Sequence, residues 1–323
     1  MVEGATINPV PAYIFPGQGA QAVGMADWVL SASSSAKRLF DRGREVLGFD
    51  VERICREGPE EELNSTRVSQ PAIFLHSMAL LEVLSERYAP GTSLGQGIPA
   101  SGTAGLSLGE YSALVFAGCL GFEEALEIVG ARGRFMQEAC DLEPGGMVSI
   151  LGLEPAKVQQ AVDRARALGP IGIANLNAPG QIVISGAKAA LEEASKAAKE
   201  LGCRRAIPLR VAGAYHSPLM ASATAKLSPL VAKARIRPPR VPFYANVTGG
   251  EVREPEEIRQ LLVRQVESPV RWEAIFRALA LRGVARAVET GPGRVLAGLA
   301  RSIDCGLPVV SAEEEEISSK VHA

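Results

Sequence analysis

The sequence predicts an α/β fold built in two parts, and three observations carry that reading. Short apolar, strand-like runs alternate with longer helical runs along the chain. One segment, residues 145–211, follows the order βαββαβ in about 65 residues, the size of a split βαβ unit. With 323 residues the chain is too long for one small core and suits a large domain with an insertion, or two domains.

The elements follow in order. AYIFP at 12–16 reads as a buried strand that runs into the tight loop GQGAQ, with a helix from about Met25. A helical stretch covers roughly 35–47, and SQPAIFLHSMALLEVLSERY (69–88) reads as a long buried helix. A Gly/Ser-rich segment at 91–104 leads to GLSLGE, then to a helix through YSALVFAG and an amphipathic helix at 122–140.

The next segment changes pattern. GGMVSILGL reads as a strand and EPAKVQQAVDRARAL as a helix. IGIAN and QIVISG read as strands joined by Asn177-Ala178-Pro179-Gly180, KAALEEASKAAKELG as a helix and RRAIPLRV as a strand. This is the ferredoxin-like order. A small domain inserted at 141–212 is expected, which leaves a discontinuous large domain, 1–140 plus 213–323. Strands are expected there near VPFYANVTG, VARAVET and LPVVSA.

Composition narrows the function. Hydrophobic residues make up 47% and charged residues 22%, ordinary for a soluble globular protein. A net charge of −2 points to neither nucleic acid nor an anionic membrane surface. Five widely spaced cysteines without C-x-x-C predict neither a disulfide framework nor a metal site and fit a reducing, cytoplasmic setting. The N-terminal MVEGATINPVP carries no secretion or transit pattern. No apolar run is expected to reach the roughly 18 residues of a membrane helix. The last stretch, AEEEEISSKVHA, reads as a loose acidic tail.

Gly105-Leu106-Ser107-Leu108-Gly109-Glu110 is a G-x-S-x-G pentapeptide followed by an acid. It is either a small-residue turn or a nucleophile elbow, whose glycines let a sharp strand-to-helix turn expose the serine hydroxyl. In the second case the N–H of Leu108 can face a developing oxyanion. A serine needs a base, and the chain has three histidines. His322 lies in the acidic tail, and His76 sits among apolar neighbours in a helix. His216, in GAYHSPLM at the junction of the two parts, is the imidazole that a reactive Ser107 would use.

In FEEALEIVGARGRFMQEA, Ala125, Val129, Arg132 and Met136 share one helical face. Arg132 therefore lies in an apolar stripe and needs a partner. That partner is either an internal Asp or Glu, or a substrate carboxylate held by the guanidinium fork.

Four separated pieces are then in hand: Phe15-Pro16-Gly17-Gln18-Gly19, Gly105 to Tyr111, Arg132 to Gln137, and Ala214-Tyr215-His216-Ser217. In this order and spacing they resemble the malonyl-CoA:acyl carrier protein transacylases, relatives of polyketide synthase acyltransferase domains. The resemblance runs from about residue 12 to 310, through Asn177 to Gln181, Arg264-Gln265, Ser268-Pro269-Val270 and Glu289 to Gly293. It implies an α/β-hydrolase-like large domain with the ferredoxin-like insertion. It implies that Ser107 carries a malonyl ester, that His216 is base and then acid, and that the backbone carbonyl of Gln265 orients the imidazole. The N–H groups of Gln18 and Leu108 would form the oxyanion hole. Arg132 would bind the malonyl carboxylate, with Met136, Tyr215 and Asn177 at the substrate.

Malonyl-CoA is then the substrate, and holo acyl carrier protein, bearing phosphopantetheine, the partner. No metal, bound cofactor, nucleic acid or membrane is implied, and a monomer is expected. Two positions stand apart. Leu106 replaces the histidine of many members, and Tyr215 resembles the aromatic of malonyl-selecting forms. The rival readings are a trans-acting polyketide acyltransferase, a serine esterase or thioesterase, and a scaffold that kept the fold. The hydrolase reading wants an HGGG-type oxyanion loop, and Pro-Gly-Gln-Gly stands in its place.

Overall fold

A computed structural model describes the backbone of residues 10–321 and the side chains of residues 10–318. Its strands are β1 (Ala12–Phe15), β2 (Gly102–Gly105), β3 (Gly145–Leu151), β4 (Ile171–Ala178), β5 (Gln181–Ala187), β6 (Arg205–Pro208), β7 (Phe243–Tyr244), β8 (Glu251–Val252), β9 (Ala287–Glu289) and β10 (Val309–Ser311). They form two sheets.

The larger sheet has the order β10-β9-β1-β2-β7-β8. All its pairs are parallel except β7 with β8. Strand β1 is buried on both faces, as a central parallel strand must be. Ala12 and Ile14 join Trp272 and Phe276 on one side. Tyr13 and Phe15 join the helix Thr66–Tyr88 on the other. Helices therefore cover both faces of the sheet. Phe15 pairs with Gly105, so the carboxyl ends of β1 and β2 lie side by side. Open parallel sheets bind ligands just beyond such ends.

The smaller sheet is antiparallel, ordered β4-β5-β3-β6. With helices Pro155–Ala165 and Lys188–Glu200 it has the ferredoxin-like arrangement. Those helices bury alanines, Val158, Val162 and Leu191 against one face. Its edge strand β4 is tied to the larger body. Leu176 N–H donates to Val270 O (2.9 Å), and Val270 N–H donates to Ala174 O (2.8 Å). We propose residues 141–212 as the inserted domain.

Three expectations are corrected. Strand β4 continues through Asn177 and Ala178, because two irregular steps in the ladder carry pairing on to Ala178 and Gln181. The turn is thus Pro179-Gly180 alone, with Gly180 left-handed at φ 64°. The acidic C-terminus is no loose tail; it forms the helix Ala312–Val321. Three acids in its first turn suit the positive end of the helix. Glu314, Glu315 and Glu316 meet Arg294, Arg286 and Arg87. His322 lies outside the described residues.

The third concerns helix Thr66–Tyr88. With 23 residues and a mean hydropathy of 1.2 over its best window, it has the length and composition of a membrane span. Gln70, His76 and Glu82 interrupt its apolar runs without lowering the mean below that level. The whole window is buried inside the protein, which is what a helix apolar on all sides does in a core. His76 is fully buried there, 3.7 Å from Glu313.

Candidate active site

Ser107 sits where β2 turns into the helix Gly109–Phe116. Its φ is +51°, in the left-handed region. The flanking glycines make the turn possible. A Cβ on Gly105 would run into the backbone of Gly109, and one on Gly109 into the carbonyl of Phe15. His216, the other expected reactive side chain, has φ +56°; only Leu94 and Asp304 share this feature among the described non-glycine residues. Such conformations persist where surrounding structure holds them, and they cluster at working sites.

The strain at Ser107 is held by a buried asparagine. Asn246 Oδ1 accepts the Ser107 N–H at 2.7 Å, and its Nδ2 donates to Gly105 O at 2.6 Å. The elbow is therefore pinned from both sides by a residue far along the chain.

Ser107 Oγ lies 2.8 Å from His216 Nε2. His216 Nδ1 lies 2.8 Å from the carbonyl oxygen of Gln265. A carbonyl only accepts, so Nδ1 carries the proton and Nε2 presents its lone pair to the serine. Arg132 Nη2 donates to Ser107 Oγ at 3.1 Å. The hydroxyl accepts from the arginine and points its own proton at the imidazole. Burial and the neighbouring Arg132 push the His216 pKa down to about 4, opposed by the Gln265 and Ser268 backbone. The ring is thus a neutral base at ordinary pH.

Arg132 is 1% exposed. Its Nη1 donates to Gln70 Oε1 at 2.6 Å and its Nη2 to Gln265 Oε1 at 3.0 Å. The guanidinium also lies 5.8 Å from the centre of the Tyr111 ring. Its Nε is buried without a hydrogen-bond partner among the described residues. Among the described residues no carboxylate is within ion-pair distance of it. Of the two partners open to Arg132, an internal acid in direct contact is not the one the fold supplies. A buried cation held only by neutral groups is suited to receive an anion.

These groups open onto a cleft of about 570 Å³ lined by Gln18, Ser107, Arg132, Met136, Asn177, Tyr215 and His216, among others. Gln18 Nε2 donates to the Tyr215 hydroxyl at 3.3 Å, and that hydroxyl also bonds to Thr66 Oγ1. Gln265 and the Leu108 side chain lie behind the surface, both fully buried. Among the described residues the backbone N–H groups of Gln18 and Leu108 donate to no hydrogen bond. Leu108 begins a helix, where free N–H groups and the dipole favour negative charge.

Sequence reasoning missed Gln70, Asn246 and the part played by the side chains of Gln265 and Glu110. A polar residue inside an otherwise apolar run was the available signal for Gln70. For Asn246 the signal was its place just after the strand FY. No group of three or more metal-ligating side chains occurs among the described residues.

An alcohol, an oriented neutral imidazole, two free N–H groups and a buried cation together suit acyl transfer through an ester. Comparison with known proteins defines the class. Residues 12–300 match the model of the acyl transferase domain, and the chain belongs to that family.

Its relatives are narrower in kind. The chain is 41% identical over 306 residues to the malonyl CoA-acyl carrier protein transacylase of Bacillus subtilis, covering 94% of each. It is 34% identical to the solved malonyl-CoA:acyl carrier protein transacylase of Xanthomonas oryzae, with a TM-score of 0.89 and coverage of 98% and 99%. A solved malonyl-transacylase in complex with a type II PKS acyl-carrier protein is 38% identical, with a TM-score of 0.86 and coverage of 94% and 95%.

Proposed function

We propose that the chain is an acyl carrier protein S-malonyltransferase of fatty acid synthesis. It moves the malonyl group from malonyl-CoA to the phosphopantetheine thiol of acyl carrier protein. The observation that carries this is Arg132: a buried guanidinium, with no contacting carboxylate among the described residues, 3.1 Å from the Ser107 hydroxyl. An acyl group reaching Ser107 meets a cation that fits a free carboxylate at its far end.

Ser107 Oγ attacks the thioester carbonyl while His216 Nε2 takes the hydroxyl proton. The C–O bond forms, the oxyanion faces the N–H groups of Gln18 and Leu108, and the Gln265 carbonyl supports the imidazolium through Nδ1–H. The C–S bond breaks, and the CoA sulfur leaves with the proton from His216. The pantetheine thiol then gives its proton to His216 and takes the acyl group, and Ser107 recovers its hydrogen. Every proton that moves passes through one imidazole, so neither half-reaction needs a bound cofactor. Met136, Tyr215 and Asn177 shape the acyl end of the cleft. The five cysteines are unpaired, which supports a reducing, cytoplasmic setting.

Incubation with malonyl-CoA should add one malonyl group to the chain, located on Ser107 by peptide mass spectrometry. Ser107→Ala should abolish the adduct. A label at another residue, or one that survives Ser107→Ala, would falsify this reading.

A further inference from the structure

The acid that closes GLSLGE has no part in the acyl-transfer steps. Glu110 is 2% exposed, in the first turn of the helix Gly109–Phe116. Among the described residues no cation lies within ion-pair distance of it. Its Oε1 accepts the Asn246 backbone N–H at 2.9 Å, and its Oε2 accepts from Gln265 Nε2 in a short hydrogen bond. Burial pushes its carboxyl up to about 7, against the Asn246 N–H, Gln265 and Arg132, which favour the charged form.

Gln265 joins this carboxylate to the site. Its Nε2 also donates to Ser107 O at 2.8 Å, while its Oε1 accepts from Arg132 Nη2 at 3.0 Å. The backbone carbonyl of the same residue holds His216. The orientation of the amide follows from its neighbours. Two acceptors demand the NH₂ on one side, and a guanidinium demands the oxygen on the other. Turned over, the amide would set NH₂ against Arg132 and oxygen against the carboxylate of Glu110.

The arrangement solves a problem that Arg132 creates. A buried cation needs a counter-charge. A carboxylate in direct contact would occupy the fork that a substrate carboxylate must use. Glu110 stands one amide away, where it still favours the charged arginine without touching it.

We propose that Glu110 is a positioning residue for acyl-group selection: through the Gln265 amide it balances Arg132 without setting a carboxylate on the guanidinium, so that a carboxylate-bearing acyl group meets only neutral partners there. This rests on the reading of Arg132 given above.

Glu110→Gln tests it. The new amide can still accept from the Asn246 N–H, but it presents NH₂ to Gln265, which can match it only by turning its own NH₂ toward Arg132. Single-turnover acylation of Ser107 is followed with malonyl-CoA and with acetyl-CoA. For Glu110→Gln the half-saturating malonyl-CoA concentration should rise at least about tenfold, with the saturating rate within about threefold of the native chain. Malonyl kcat/KM should fall at least about fivefold more than acetyl kcat/KM. Equal losses for both substrates, or no loss for either, would overturn the proposal.

Arg132→Ala run in parallel separates the two readings. If it fails to discriminate between the substrates, the reading of Arg132 falls. If it discriminates and Glu110→Gln does not, only the proposal for Glu110 falls. Should Glu110→Gln not fold, the exchange E110Q/Q265E carries the test, because it restores a donor–acceptor match between the two positions and, while giving up the donation to Ser107 O, sets a carboxylate directly on Arg132. Malonyl selectivity should then be lost in a folded protein, and native selectivity there would overturn the proposal.

Discussion

The two walls of the cleft are built to different standards. On the wall from the parallel sheet, the polar groups around Ser107 are tightly held. Asn246 pins its backbone, His216 and Arg132 its hydroxyl, and Gln265 its carbonyl. The wall from the antiparallel sheet presents Met147, Asn175, Asn177 and Val183. There Asn177 Oδ1 is buried with no hydrogen-bond partner among the described residues. Reacting groups must be held close to their productive geometry by a supporting shell. A wall that only lines the space beside the acyl group needs no such shell. Substitutions should therefore be felt unequally on the two sides.

Arg132→Ala gives the largest effect expected here. Loss of a buried charged partner costs about 3–5 kcal/mol of binding, so malonyl acylation should drop by about two to four orders of magnitude, with acetyl acylation falling far less. The same variant tests the electrostatics. The His216 pKa is held down to about 4, so the neutral base persists above that pH and activity falls as the pH drops through it. Arg132 is one cause of that depression. Without it the acid limb of the acetyl acylation profile should move to higher pH; a limb that stays in place would mean burial alone sets it.

Asn246→Ala tests the rigid wall itself. It leaves the Ser107 N–H and Gly105 O buried without their side-chain partner, at a cost of about 2–4 kcal/mol in stability measured by urea denaturation. Acylation of both substrates should slow together, since the elbow rather than the selecting group is loosened. Asn177→Ala should have the smallest effect. Its Oδ1 gives up no hydrogen bond, so stability should stay within about 1 kcal/mol. Half-saturation should rise by only about threefold, with the saturating rate kept. A loss as large as that of Asn246→Ala would end the contrast between the walls.

Much of this was legible in the sequence. The strand-to-loop run AYIFPGQG, the helix around His76 and the βαββαβ segment announce themselves by local periodicity and turn residues. Ser107, His216 and Arg132 are legible too. The first has its glycines, the second is one of only three histidines, and the third is a charge in an apolar stripe. The C-terminal helix was not legible. A run of acids reads as solvated chain until the fold places Arg87, Arg286 and Arg294 opposite it.

The sequence by itself determined the elements, the two-part α/β plan and the reactive residue types, because side-chain periodicity and turn chemistry act over a few residues. Only the tertiary structure decided what Arg132 pairs with and what holds the GLSLGE turn. Those partners lie far apart in the chain: Asn246 bonds to Glu110 across 136 residues, and Gln265 across 155. No local pattern encodes such a contact. Burial then makes each of these hydrogen bonds matter, because a polar group shut away from water has no other partner to turn to.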